Sequence, residues 1–193
     1  MTWLVAGLGN PGPSYERTRH NAGAMVVQVL ADRVGGKLRK ARFVPAETAE
    51  FTDPESRERI VLVRSTRFMN ESGPSYASLA KKTKVDPSHV IAVHDEIDLP
   101  FGALHLKQGG GTAGHNGLRS LESALRSPDF VRVRIGVGRP PGRQDPADFV
   151  LKNFSERERP EAAVLLEEAA DAVMAVVTDG FAPAQDRFNR RRP

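Results

Sequence analysis

The 193-residue sequence carries 28 Lys and Arg against 24 Asp and Glu, a formal net charge of +4 and an isoelectric point near 9.7. That length suits one domain able to bury a core without covalent staples, and the absence of cysteine excludes disulfides, thiolate metal sites and a cysteine nucleophile. No apolar run approaches the roughly 20 residues of a membrane span, and the opening MTWLVAGLG lacks the basic flank of a secretion signal. A cytoplasmic protein with no membrane partner is the expectation. The basic excess favours a polyanionic partner through counterion release, without establishing one.

In chain order, residues 3–7 read as a short buried strand, followed by a turn-rich stretch through Asn10, Pro11, Gly12, Pro13 and Ser14. Met25, Val26, Val29, Leu30 and Val34 fall at helical spacing within 21–34, and Gly35 and Gly36 end that helix. Strands are predicted over 43–51 and 59–65, joined by the polar loop 52–58. A helix follows over 71–84, with Pro74 tolerated in its first turn. The apolar run 90–93 predicts a central strand that presents His94 and Asp95 at its C-terminal end.

Residues 103–107 read as another strand, the GGGTAG run at 109–114 as a loop and 115–126 as the helix after it. Apolar and basic residues alternate over 131–137, which predicts a strand with Arg132 and Arg134 on one face. The longest helix is predicted over 158–178, its stripe formed by Leu166, Ala169, Ala170, Val173 and Val177. The closing DRFNRRRP reads as a basic tail, which puts the domain at 1–185 and the tail at 186–193. Strands alternating with helices predict a single α/β domain with a twisted, mixed, mostly parallel sheet flanked by helices.

Gly7, Gly9 and Gly12 spell GxGxxG after a strand, the form of a dinucleotide-binding loop. The physics of that motif is missing. It needs a helix beginning inside the motif with free N–H groups, whereas Pro11 and Pro13 remove two donors and the helix waits until about Asn21. The acidic residue some twenty positions on, Asp32, lies within a helix. A nucleotide-dependent oxidoreductase is therefore disfavoured.

Of the five histidines, none falls at metal-ligand spacing. His94, Asp95, Glu96 and Asp98 could ligate a cation, but successive strand residues face opposite ways, so no metal is expected. His20 leaves the first strand in TRHN, and Asp95 ends another. Strand ends of open α/β sheets gather at one edge, and a histidine oriented by a carboxylate there is a general base for water. No GxSxG supplies a serine nucleophile. Asn10, Asn70 and Asn116 stand at comparable places: as turn or helix-capping residues each is unremarkable, and as a set they would line a site with neutral amides.

Together the segments GLGNPGPSYERTRHNAG (7–23), TRFMNESG (66–73), HDEIDLPFG (94–102), LKQGGGTAGHNGLRS (106–120) and FVRVRIGVGRP (130–140) resemble the bacterial peptidyl-tRNA hydrolase family. The blocks stand in the family's order and bracket most of the chain. The resemblance implies a cofactor-free esterase acting on peptidyl-tRNA in translation. It implies His20 as general base, Asp95 as its partner and Asn10 as a positioner of water and substrate. Met69, Asn70 and Asn116 would contact the peptidyl part, Tyr15 and Phe68 would line the cleft, and Lys107 and Arg134 would hold tRNA phosphate. A monomer is the simplest assembly. The loop GGGTAGHNG departs from the GGHGGHNG or GGSAGHNG of many relatives, without touching a residue assigned to chemistry. A non-catalytic RNA-binding relative would share the fold but need not keep His20, Asp95 and all three asparagines.

Overall fold

Valine, leucine and isoleucine dominate four short segments that lie side by side. β1 (Thr2–Gly7) sits between β4 (Arg59–Ser65) and β5 (Val90–Glu96), and β7 (Val131–Gly136) lies beside β5, all four parallel. Every residue of β5 is buried, as a strand covered on both faces requires. β3 (Ala46–Thr52) pairs antiparallel with β4, the short β2 (Arg39–Lys40) with β3, and β6 (Leu104–Gln108) with β7. The order is β2-β3-β4-β1-β5-β7-β6. The sheet is mixed as expected; its parallel part is the central four strands, with antiparallel strands at both edges. The computed structural model describes residues 1–189.

Alternation along the strands feeds two cores. Val5, Ile91 and Val93 face α1 (Ala22–Arg33), α5 (Arg159–Asp179) and α6 (Phe181–Asn189), while Leu4, Ala6 and Ala92 face α2 (Gly73–Thr83) and α3 (Asn116–Leu125). Gly23 lets α1 lie directly on the sheet, since a Cβ there would collide with the Val93 carbonyl. Tyr76 of α2 is fully buried; its hydroxyl donates to Gly7 O at 2.9 Å and accepts from Ser65 N at 3.3 Å. That single side chain ties the ends of β1 and β4 together, beside the residues that leave both strands. None of the described helices is long and apolar enough to cross a membrane.

Three elements escaped the sequence reading: β2, α4 (Pro146–Val150) and α6. The boundary placed between 185 and 186 falls inside α6, where Phe188 is buried and the Asn189 amide bonds both N and O of Leu106. Phe181, Ala184 and Phe188 form a helical stripe that the surrounding charges obscure. The rest of the expected tail, residues 190–193, lies outside the described residues.

Candidate active site

The C-terminal ends of β1, β4 and β5 open onto a cavity of about 410 Å³. Asn10, His20, Phe68, Met69, Asn70, Asp95 and Asn116 all line it, so seven of the residues singled out from sequence meet in one place. Tyr15 stands one layer out, its ring edge-on to Phe68 at 6.2 Å. His115, Glu96 and Ile97 extend the wall, Ala113 and Gly114 of the glycine loop join it, and Pro146, Ala147 and Val150 of α4 with Leu151 after it complete it.

His20 sits in a 3-10 turn (Arg19–Asn21) that leads into α1. Its Nδ1 lies 3.0 and 2.9 Å from the two carboxylate oxygens of Asp95, which is 2% exposed. His115, unmarked in the sequence reading, reaches the same carboxylate: its Nε2 is 2.9 Å from Asp95 Oδ1. His115 is also the N-cap of α3, and its Nδ1 accepts from the N–H groups of Gly117 at 3.1 Å and Leu118 at 3.3 Å. Because Nδ1 accepts, the hydrogen of His115 resides on Nε2 and is donated to Asp95. Asp95 thus receives N–H donors from both histidines, which fixes the hydrogen of His20 on Nδ1. The Nε2 of His20 is left as an acceptor with no hydrogen bond among the described residues, on a ring that lines the cavity.

Burial works against charge on His20, but the Asp95 carboxylate and its hydrogen bond outweigh it, so the imidazole titrates above its ordinary value. Burial would raise Asp95, yet the two histidines hold it well below the usual carboxylate range. His94 behaves oppositely: full burial, with a smaller electrostatic effect of neighbouring His115, pushes it down to about 3. Its Nδ1 is 2.7 Å from Asp95 O, and its buried Nε2 has no hydrogen-bond partner among the described residues.

Asn10 does two things. Its Oδ1 accepts from Met69 N at 2.7 Å, and its own N–H donates to Asn21 Oδ1 at 2.8 Å, so it pins the 68–70 connection to α1. Its Nδ2 retains no partner among the described residues and is free for a ligand. The capping alternative fails for the other two asparagines. His115 caps α3 in place of Asn116, and Asn70 lies within a 3-10 turn (Met69–Glu71) whose N-cap is Phe68.

Lys107 and Arg134 do not line the cavity. Arg134, opposite His94 in the β5–β7 ladder, bonds Glu96 Oε1 at 2.9 Å and lies 3.2 Å from His105 Nδ1. Lys107 is exposed, its stem running over Gly110, where a Cβ would come within 2.7 Å of its Nζ. Arg132 shares a strand face with Arg134 and pairs in register with Lys107, but it is turned inward: it is 1% exposed, and its guanidinium holds the carbonyls of Gly109 and Gly111. It fastens the glycine loop.

The donor atoms of His20, Asp95 and His115 lie within 4.8 Å of one another, a spacing a metal ion could use. Each contact is also of hydrogen-bond length, and the two nitrogens are fully accounted for as donors to the carboxylate. Among the carboxylates weighed from sequence, Glu96 is paired with Arg134 and Asp98 with Arg139.

Residues 4–193 match the family model described as peptidyl-tRNA hydrolase. The chain belongs to that family. A peptidyl-tRNA hydrolase of Frankia casuarinae is 54% identical, with 97% of this chain and 93% of the relative covered. One from Mycobacterium marinum is 53% identical, covering 96% of each. The crystal structure of peptidyl-tRNA hydrolase from Acinetobacter baumannii superposes with a TM-score of 0.90 at 32% identity, covering 98% of this chain and 95% of that one.

Proposed function

We propose that the protein hydrolyses the ester joining a peptide to the terminal ribose of tRNA, with His20 as general base toward water. The observation that carries this reading is the His115–Asp95–His20 chain, which leaves an unprotonated Nε2 on a ring of the cavity wall. In the reaction His20 Nε2 takes a proton as the water oxygen bonds the ester carbonyl carbon. The tetrahedral adduct then expels the ribose oxygen, which recovers the proton from His20, and peptide acid and free tRNA leave. Asp95 stabilises the imidazolium formed between the two steps, and the unpartnered Nδ2 of Asn10 is placed to orient water or polarise the carbonyl.

Asn70 and Asn116, both exposed to the cavity, suit a peptide backbone rather than a free α-amino group. A neutral amide exchanges hydrogen bonds with a peptide group, whereas an ammonium would lose hydration without a counter-charge. Met69, Phe68 and, behind it, Tyr15 supply the apolar side of that pocket. Lys107 and Arg134 lie outside it, where phosphate contact adds affinity and not chemistry. One chain supplies every part of this assembly, and we read the protein as a cytoplasmic monomer.

The test is release of free tRNA from an N-blocked aminoacyl-tRNA in the presence of EDTA. Hydrolysis that persists under chelation and is slower for the unblocked ester supports the proposal. Binding without turnover would favour a non-catalytic RNA-binding role, and loss on chelation reversed by a divalent ion would make the three-residue cluster a metal centre.

A further inference from the structure

The turn between β2 and β3 carries features that the ester chemistry does not use. Lys37, Arg39, Lys40 and Arg42 are all exposed, and no acidic residue occurs between Arg33 and Ala46. None of these four cations forms an ion pair among the described residues. Several other surface arginines are matched: Arg33 with Glu167 and Asp171, Arg59 with Glu50, Arg139 with Asp98. Glu47, across the ladder from Lys40, is itself paired with Arg64.

At the tip stands Phe43, 89% exposed, with a backbone φ of 64°. A bulky residue in the left-handed region is an outlier, and strain of this kind persists where the surroundings hold it. Here Ala41 N and Ala46 O close the turn at 2.8 Å, and the Arg42 guanidinium stacks 4.8 Å from the centre of the Phe43 ring. Folding alone gives no reason to place an aromatic ring in water at that conformation.

The turn adjoins the cavity wall. β3 begins opposite Ser65, the last residue of β4, and Thr66 N donates to Pro45 O at 2.9 Å. The connection that follows runs through exposed Arg67 to Phe68, Met69 and Asn70. Unmatched cations, with an aromatic face held among them, therefore continue from the cavity to the β2 edge of the sheet. Lys107 lies on the opposite edge strand, roughly 29 Å away across six strand spacings.

We infer that the β2–β3 turn is a second RNA-contacting surface, with Lys37, Arg39, Lys40, Arg42 and Arg67 meeting phosphates and Phe43 stacking on an unpaired base of the substrate's polynucleotide. This rests on the peptidyl-tRNA hydrolase reading and adds a substrate contact to it. A polyanion is favoured over the peptide because the cations are uncompensated among the described residues, whereas a nascent peptide brings no fixed charge. Stacking on an aromatic face next to cations is the usual grip on unpaired nucleotides.

The test uses full-length protein carrying Phe43→Gly, or Lys40 and Arg42 both changed to Ala. Steady-state hydrolysis of full N-acetyl-aminoacyl-tRNA is compared with that of an N-acetyl-aminoacyl ester on a short 3′-terminal oligonucleotide, and binding of deacylated tRNA is measured against salt. We expect the KM for full substrate and the Kd for tRNA to rise about 5-fold or more in Phe43→Gly with kcat unchanged. In the double variant the log–log salt slope should flatten by about one to two units. The oligonucleotide ester should be unaffected in both. Phe43→Gly relieves the positive φ, so its melting temperature should not fall, which separates lost contact from lost fold. Unchanged KM and Kd would overturn the inference, as would equal losses on both substrates or a KM that follows peptide length. Failure of the unmodified protein to hydrolyse either substrate would instead defeat the reading on which it rests.

Discussion

Replacing Asp95 with Asn tests the proton arrangement of the site. In the native site both Asp95 oxygens lie within 3.0 Å of His20 Nδ1, and Oδ1 also takes the His115 Nε2 hydrogen. An amide offers one oxygen and one NH₂, so it cannot accept equally from both imidazoles. Losing one charge-assisted hydrogen bond is worth about 1.5–3 kcal/mol. At 1.36 kcal/mol per decade, kcat should fall about 10- to 100-fold. That is less than loss of the base, because Nε2 remains present but poorly oriented. The pH profile should move as well. His20 must be neutral to accept a proton, so kcat/KM rises with pH through its pKa. Asp95 holds that pKa above the ordinary imidazole value against the opposing effect of burial. With the charge gone, burial alone remains, and the acid limb should shift to lower pH. A rate profile from pH 5 to 8 with N-acetyl-aminoacyl-tRNA reads both effects. A full-speed variant, or a limb that stays in place while kcat falls, would refute the assigned direction of the His20–Asp95 bond.

Other outcomes follow from the same geometry. Lys107→Ala should raise KM for full peptidyl-tRNA, leave kcat unchanged and flatten the salt slope by about one unit, with a short ester unaffected; equal losses on both substrates would contradict phosphate contact. Arg134→Ala should raise KM for full peptidyl-tRNA in the same way and, because it also frees Glu96 in the cavity wall, slow the short ester as well; a short ester left at full speed would contradict the second effect. His94, pushed down to about 3, sits near 6.5 in the unfolded chain, so stability is lost as pH falls from 6.5 toward 3. The loss is about 2 kcal/mol by pH 5, partly offset by His20, whose raised pKa has the opposite sign. His94→Asn should flatten the fall in Tm between pH 7 and 5, and an unchanged slope would count against the assignment.

The central strands were legible because each is a short, nearly continuous apolar run, and a strand buried on both faces admits little else. β2 was not, being two exposed residues, Arg39 and Lys40, held only by their partners in β3. α6 was hidden by its charges, since the arginine-rich spelling outweighs a stripe of three apolar residues. The site was legible as a set of strand ends and polar residues, and Asn10, His20, Asp95, Asn70 and Asn116 do converge. His115 was not, because a histidine capping a helix has no sequence signature; only the fold shows its other nitrogen against Asp95. The shared face of Arg132 and Arg134 was legible, but the burial of Arg132 was not, for a related reason. Period-two alternation gives a face, but whether that face meets water or the glycine loop is decided by β6 and the chain beyond it.

The most direct test of the mechanism is turnover of N-acetyl-aminoacyl-tRNA by His20→Ala, in a preparation free of host enzyme and with folding checked by melting temperature. The ring is partly exposed, 14% at the side chain, so its loss should leave the fold intact. General-base removal costs about 10²- to 10⁴-fold in rate, and kcat should fall within that range while affinity for deacylated tRNA stays unchanged. Near-normal kcat in that variant would contradict water activation by His20.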